Sequence, residues 1–245
     1  MLTRKLGFVI GIVFSLGLLF TSCDWFGPKD DPNTVTDIDG NVYQIVTIGD
    51  QVWMAENLKT THYRNGTEIL NSQSVSEWGD DTTGAYCAYD NNEEYADTFG
   101  YLYNWFAVTN ENELAPEGWH IPSDEEWKQL EIFLGMSQAH ADSFGYRGTI
   151  EANKLKTTSG YYVDRGTDDF GFTILPCGCR DAVYNWHTAE FIGMNTTAEI
   201  WTSTENGEYF AWNRRFGSDG GIFRWDVILK WRGNSVRCVK DTVSS

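Results

Sequence analysis

One strongly capped helix, followed by a run of short, glycine-bounded strands, leaves this chain few architectures. In Gly118-Trp-His-Ile-Pro-Ser-Asp-Glu-Glu-Trp-Lys-Gln-Leu130, Ser123 can accept from the backbone of Glu126 while the Glu126 side chain reaches back, the pattern of a capping box. Trp127, Leu130 and Leu134 then share one face, and Gly135 supplies a stop, which predicts a helix over 124–134. Beyond residue 170 the pattern changes period. Residues 171–175, 200–204, 209–216, 222–229 and 235–240 read as short strands between Gly-rich turns. Earlier, 42–48 and 51–54 read as a hairpin turned at Gly49-Asp50, 60–84 as loop, 85–89 as a strand, 90–94 as a turn and 100–108 as a short buried helix. These runs predict one α+β domain over 35–241, with early helices and a strand-rich second half. Trp53, Trp119 and Trp127 are expected in its core, and His120 as a hydrogen-bonded core histidine.

Two features place that domain. Arg4 and Lys5 precede an uncharged apolar run, Leu6 to Phe20, shorter than the ~20 residues of a comfortable bilayer span. Thr21 and Ser22 follow, then Cys23, which is the layout of a secretory signal peptide. The Cys after small residues resembles the lipobox of bacterial lipoproteins. That resemblance implies removal of residues 1–22 and a diacylglyceryl group on Cys23. Residues 23–34, with Gly27, Pro28, Pro32 and Asn33, read as a solvated tether. Within it, Lys29, Asp30 and Asp31 resemble the acidic export signal of Bacteroidota surface lipoproteins. The expected address is the cell-surface side of the outer membrane, with membrane lipid as a partner through Cys23. Residues 242–245 are a short tail.

Charge and composition restrict partners. The chain carries a formal charge of −17, so neither nucleic acid nor an anionic lipid surface finds the basic stripe it needs. Neutral or cationic ligands and divalent cations suit such a surface better. Aromatic residues make up 15% of the chain, too many for a disordered protein. Beyond Cys23, the cysteines are Cys87, Cys177, Cys179 and Cys238. An exported protein can oxidise them, and four allow three pairings. Cys177 and Cys179 are too close in sequence to bridge each other easily, and no His cluster accompanies them at zinc spacing.

Several strings in order carry a family resemblance. They are Gln51-Val-Trp-Met-Ala-Glu-Asn-Leu58, Gly84-Ala-Tyr-Cys-Ala-Tyr-Asp-Asn-Asn92, Gly100-Tyr-Leu-Tyr-Asn-Trp105, the 118–127 segment, Gly171-Phe-Thr-Ile-Leu-Pro176, Trp201-Thr-Ser-Thr-Glu205 and Ser235-Val-Arg-Cys-Val-Lys-Asp241. Together they resemble the Fibrobacter succinogenes major paralogous domain of surface lipoproteins. The resemblance implies a C-type lectin-like fold, a fold shared with the formylglycine-generating enzyme type. It also implies a Cys87–Cys238 disulfide, with pairing to Cys177 or Cys179 as the rival. Cys177-Gly-Cys179-Arg180 departs from the family's usual Gly-Gly-aromatic-Arg.

Two site candidates follow. Asp90, Asn91, Asn92 and Glu93 form an oxygen-rich turn whose donors suit Ca²⁺, although the spacing is not that of an EF-hand. In lectin-like folds the late region supplies the ligand loops and strands. Here it gathers Tyr209, Trp212, Asn213, Arg214, Arg215, Asp219, Arg224 and Trp225. Aromatic faces with amides and guanidinium forks suit a glycan or a protein partner, and Trp212 with Arg214 are the expected lead contacts. The expected function is a non-enzymatic binding module. The alternative is an enzyme of the formylglycine-generating type, in which Cys177 and Cys179 would serve copper-dependent thiol oxidation. No Ser/His/Asp order, phosphate loop or carboxylate pair stands out for other chemistry.

Overall fold

The capping box forms. Ser123 Oγ accepts from Glu126 N at 3.2 Å, Glu126 Oε2 accepts from Ser123 N at 2.8 Å, and the helix runs Asp124–Phe133. It buries Trp127 and Leu130, as the spacing predicts. A computed structural model describes residues 31–163, 165–182 and 189–242. The signal segment, Cys23, Lys29, Asp30 and residues 243–245 lie outside the described residues; Asp31 is exposed.

In chain order the elements are β1 (Thr34–Thr36), β2 (Val42–Ile48), β3 (Gln51–Met54), β4 (Leu70–Asn71), α1 (Val75–Asp80) and β5 (Ala85–Cys87). A 3₁₀ turn at Tyr89–Asn91 leads into α2 (Glu93–Phe99), β6 (Leu102–Tyr103), α3 (Trp105–Val108), β7 (Trp119–His120) and α4 (Asp124–Phe133). The rest is α5 (Gln138–Asp142), β8 (Gly145–Arg147), β9 (Cys177–Arg180), β10 (Phe191–Met194), β11 (Ala198–Asn206), β12 (Phe210–Phe216), β13 (Ile222–Leu229) and β14 (Val239–Lys240). The fold is α+β. Its sheets have the orders β1-β2-β3-β14-β7, β10-β9-β11-β12-β13-β8 and β4-β5-β6.

Two apolar clusters tie the larger sheets to the helices. Trp53, Trp127, Leu130, Phe172, Ile200, Phe216 and Ile222 form one, with the Trp53 and Trp127 rings 4.9 Å apart. Tyr43, Met54, Trp105, Trp119, Trp201, Val236 and Cys238 belong to the other. A smaller cluster around Trp78 and Leu102 holds Cys87. Trp53, Trp119 and Trp127 are therefore core residues, as expected.

Several expected elements change. The stretch 60–84 contains α1 and β4 rather than loop alone. The helix expected over 100–108 is confined to Trp105–Val108, because the Asn104 side chain ends a strand and caps a helix at one point, accepting from both Ala85 N and Ala107 N. No strand forms over 171–175. Thr173 adopts a left-handed φ of 52°, held there by both oxygens of Asp168. Only Val239–Lys240 of the last expected strand pairs continuously.

The Cys87–Cys238 bridge is not formed. Cys87, Cys177, Cys179 and Cys238 are all buried thiols, and Cys87 and Cys238 sit in different apolar clusters. The rival pairings to Cys177 or Cys179 are absent as well.

Candidate functional site

Strand alternation divides the late aromatic–arginine segment between two faces of the six-stranded sheet. Arg214 of β12 pairs with Arg224 of β13 on the face that meets α4. Both are buried, against the expectation that they reach a ligand. Asp124 and Glu131, on one side of α4, draw them in. Arg214 donates from Nη1 to Asp124 Oδ1 at 2.8 Å and from Nε to Glu131 Oε1 at 2.6 Å. Arg224 grips both Asp124 oxygens at 2.8 and 2.6 Å. Arg147 of β8 completes the group with two bonds to Glu131 at 2.7 and 2.8 Å. Burial works to raise the Asp124 carboxyl, but the bonds and charges of Arg224 and Arg214 outweigh it and hold the group at about 2. Trp212 belongs to this same face, half-buried under the Arg224 guanidinium at 3.8 Å. Such a network is structural. Arg214 is therefore not a surface contact, whereas Trp212 is only partly buried.

The opposite face is where aromatic surface reaches solvent. Arg215 pairs with Phe223, Asn213 with Trp225, and Phe223 with Tyr146 of β8, so these side chains share one surface across three strands. Tyr146 and Phe223 have ring centroids 5.1 Å apart, and Phe223 and Trp225 5.5 Å apart. Arg215 lies over this row, 5.4 Å from the Trp225 centroid and 5.8 Å from that of Phe223. Tyr146 and Val227 are exposed, Phe223, Trp225 and Arg215 partly so. Asn213 is buried beneath, giving Nδ2 to Glu199 Oε2 at 3.1 Å.

The other expected residues fall elsewhere. Tyr209 is exposed and stacks on Trp231 at 6.5 Å, beside Phe106. Asp219 lies in the β12–β13 turn, where its carbonyl accepts from Lys156 Nζ. In the oxygen-rich turn the side chains serve different partners. Asn91 donates to Gln73 O, Asn92 caps α2, Glu93 accepts from Tyr101, and Asp90 is exposed. Among the described residues no three His, Cys, Asp or Glu side chains converge as a metal site. His120 is not a core histidine: it is partly exposed and lies between Glu126 and Asp241, at 2.7 and 2.6 Å.

Cys177 and Cys179 flank Gly178, whose φ is +65° and where a Cβ would stand 2.4 Å from Ile192 O. Only glycine fits there. Cys177 Sγ lies 3.2 Å from Ser235 Oγ, and Cys179 accepts from Arg232 at 3.1 Å. Burial pushes both thiols above their ordinary range, the opposite of what a thiolate ligand needs.

The sequence model of the Fibrobacter succinogenes major domain matches residues 46–240. The chain belongs to the Fibrobacter succinogenes major domain family. No curated protein and no solved structure matches it. The match runs from within β2 to β14 and takes in α4 and all six strands of the β10-β9-β11-β12-β13-β8 sheet. In this family member, Tyr146 and Phe223 escape notice in the sequence because only strand pairing places them beside Arg215 and Trp225. The i, i+2 spacing of Phe223 and Trp225 is the one local signal.

Proposed function

We propose that this chain is a non-enzymatic binding module of the cell surface, tethered by lipid on Cys23 and displayed through the Lys29-Asp30-Asp31 signal. The observation that carries the binding role is the row Tyr146–Phe223–Trp225 with Arg215 laid over it. The sheet holds these rings at fixed spacing, with neighbouring planes inclined by 57° and 65°, so a ligand that fits them meets little ordering cost. Its partner is a glycan or a protein surface. We take the fold as C-type lectin-like, supported by the strand-rich late half and by β14 joining β3 in one sheet. Among the described residues no helix is long and apolar enough to cross a membrane. The alternative, copper-dependent thiol oxidation at Cys177 and Cys179, has less support, since burial disfavours both thiolates.

A glycan-array and protein-binding screen of the full chain tests the binding role. Tyr146→Ala with Phe223→Ala should weaken the ligand found there by about 2 kcal/mol or more, with each variant's melting temperature measured alongside. Wild-type affinity in the double variant would remove this face as the site. Cys23→Ala should shift the protein out of the membrane fraction. Alanines at 29–31 should leave it lipidated but shielded from external protease.

A further inference from the structure

Arg215 differs from the other arginines that lie over aromatic rings. Arg180, Arg214, Arg224 and Arg237 each donate hydrogen bonds to carbonyls or carboxylates while meeting a ring. Among the described residues Arg215 donates none. Its closest acidic contact is Nε to Glu199 Oε1 at 3.8 Å, beyond hydrogen-bond reach. Glu199 is already satisfied. It is buried at 2% exposure, with Oε1 taking Arg232 Nη2 at 2.9 Å and Oε2 taking Asn213 Nδ2 at 3.1 Å. Arg232 is further matched by Asp181 at 2.6 Å. The sheet face therefore presents a cation with unused donors, its side chain 33% exposed, beside two partly exposed rings.

A planar guanidinium fork matches a planar carboxylate in two parallel bonds, and an indole or phenyl face suits the C–H face of a pyranose ring. A ligand that satisfies both carries a carboxylate on a sugar ring. We infer that the platform binds an acidic saccharide through a uronic acid unit, the sugar ring stacking on one of the two inclined rings, Phe223 or Trp225, and the carboxylate pairing with Arg215. This rests on the binding-module reading and narrows it. The formal charge of −17 repels a dense polyanion, so the fitting ligand has uronate units spaced among neutral sugars.

Titration calorimetry on the detergent-solubilised full chain tests this with a panel of uronate-containing oligosaccharides, each paired with its methyl ester and a neutral counterpart of equal length. At least one acid should bind, and its ester should bind tenfold or more weakly. Arg215→Gln should abolish the preference, so that acid and ester bind alike. Arg215→Lys, which keeps the charge but loses the fork, should fall between. Melting curves establish that each variant is folded. Equal binding of acid and ester, or an Arg215→Gln variant that still distinguishes them, overturns the uronate assignment while the binding module stands. Binding to neutral sugars or to a protein alone does the same. If no saccharide or protein binds, both readings fail.

Discussion

Asp124 and Arg224 meet across the helix–sheet interface with both carboxylate oxygens engaged, at 2.8 and 2.6 Å. Arg214 shares the same carboxylate at 2.8 Å and reaches on to Glu131. Removing one partner of a buried ion group leaves uncompensated charge and costs about 3–5 kcal/mol. Glu131→Gln, at a fully buried position, should therefore lower stability by that order in urea titration. A change below about 1 kcal/mol would mean that water takes over the vacated bonds.

Acid should act on the same contact. The Asp124 carboxyl sits at about 2 in the folded chain against an ordinary 3.8. A lowered carboxylate contributes stability that is full above its unfolded value and is lost as pH falls through its folded one. The urea midpoint should drop between about pH 4 and pH 2, and Asp124→Asn should flatten that slope from an already lower start.

His120 carries the opposite sign. Its bond to Glu126, aided by Asp241, raises the imidazole above its usual 6.5. Its stabilisation is present below pH 6.5 and is lost as pH rises through the folded value. Proton NMR of the His120 ring should give a midpoint above 6.5, and His120→Gln should remove the loss of stability on the alkaline side. A midpoint at or below 6.5 would show that the two carboxylates do not hold the proton.

The thiols give a direct count. Cys87, Cys177, Cys179 and Cys238 are buried, and burial pushes Cys87 up to about 12. The native chain should resist a water-soluble thiol reagent, and denaturation without reductant should release all four. Two released thiols would indicate one bridge, and peptide mapping would tell Cys87–Cys238 from a pairing with Cys177 or Cys179.

What the sequence reveals depends on how local the cause is. The helix at 124–133 is legible because Ser123 and Glu126 are three residues apart and satisfy each other. The hairpin at 42–54 is legible for the same reason, with Gly49 at φ +61° making the turn. Arg214 and Arg224 look like surface forks because alternation does not say which face is buried, and their partners are 90 and 100 residues away. Tyr146 joins Phe223 only through the pairing of β8 with β13. Asn104 shows a subtler limit. One side chain accepts from two backbone amides, so apolar spacing reads as helix where strand and helix meet.

The order of the first sheet has a consequence for how the chain is made. Its next-to-edge strand β14 lies between β3 and β7 and comes from the last residues of the domain, with Val239 opposite both Trp53 and His120. Met54 and Leu58 likewise wait for the carbonyls of Cys238 and Val236. A chain emerging from the ribosome thus keeps both flanks unpaired until residues 236–240 have been made, and such long-range closure is slow. Truncation short of Val236 would leave an open sheet with two adhesive edges, exposed to aggregation.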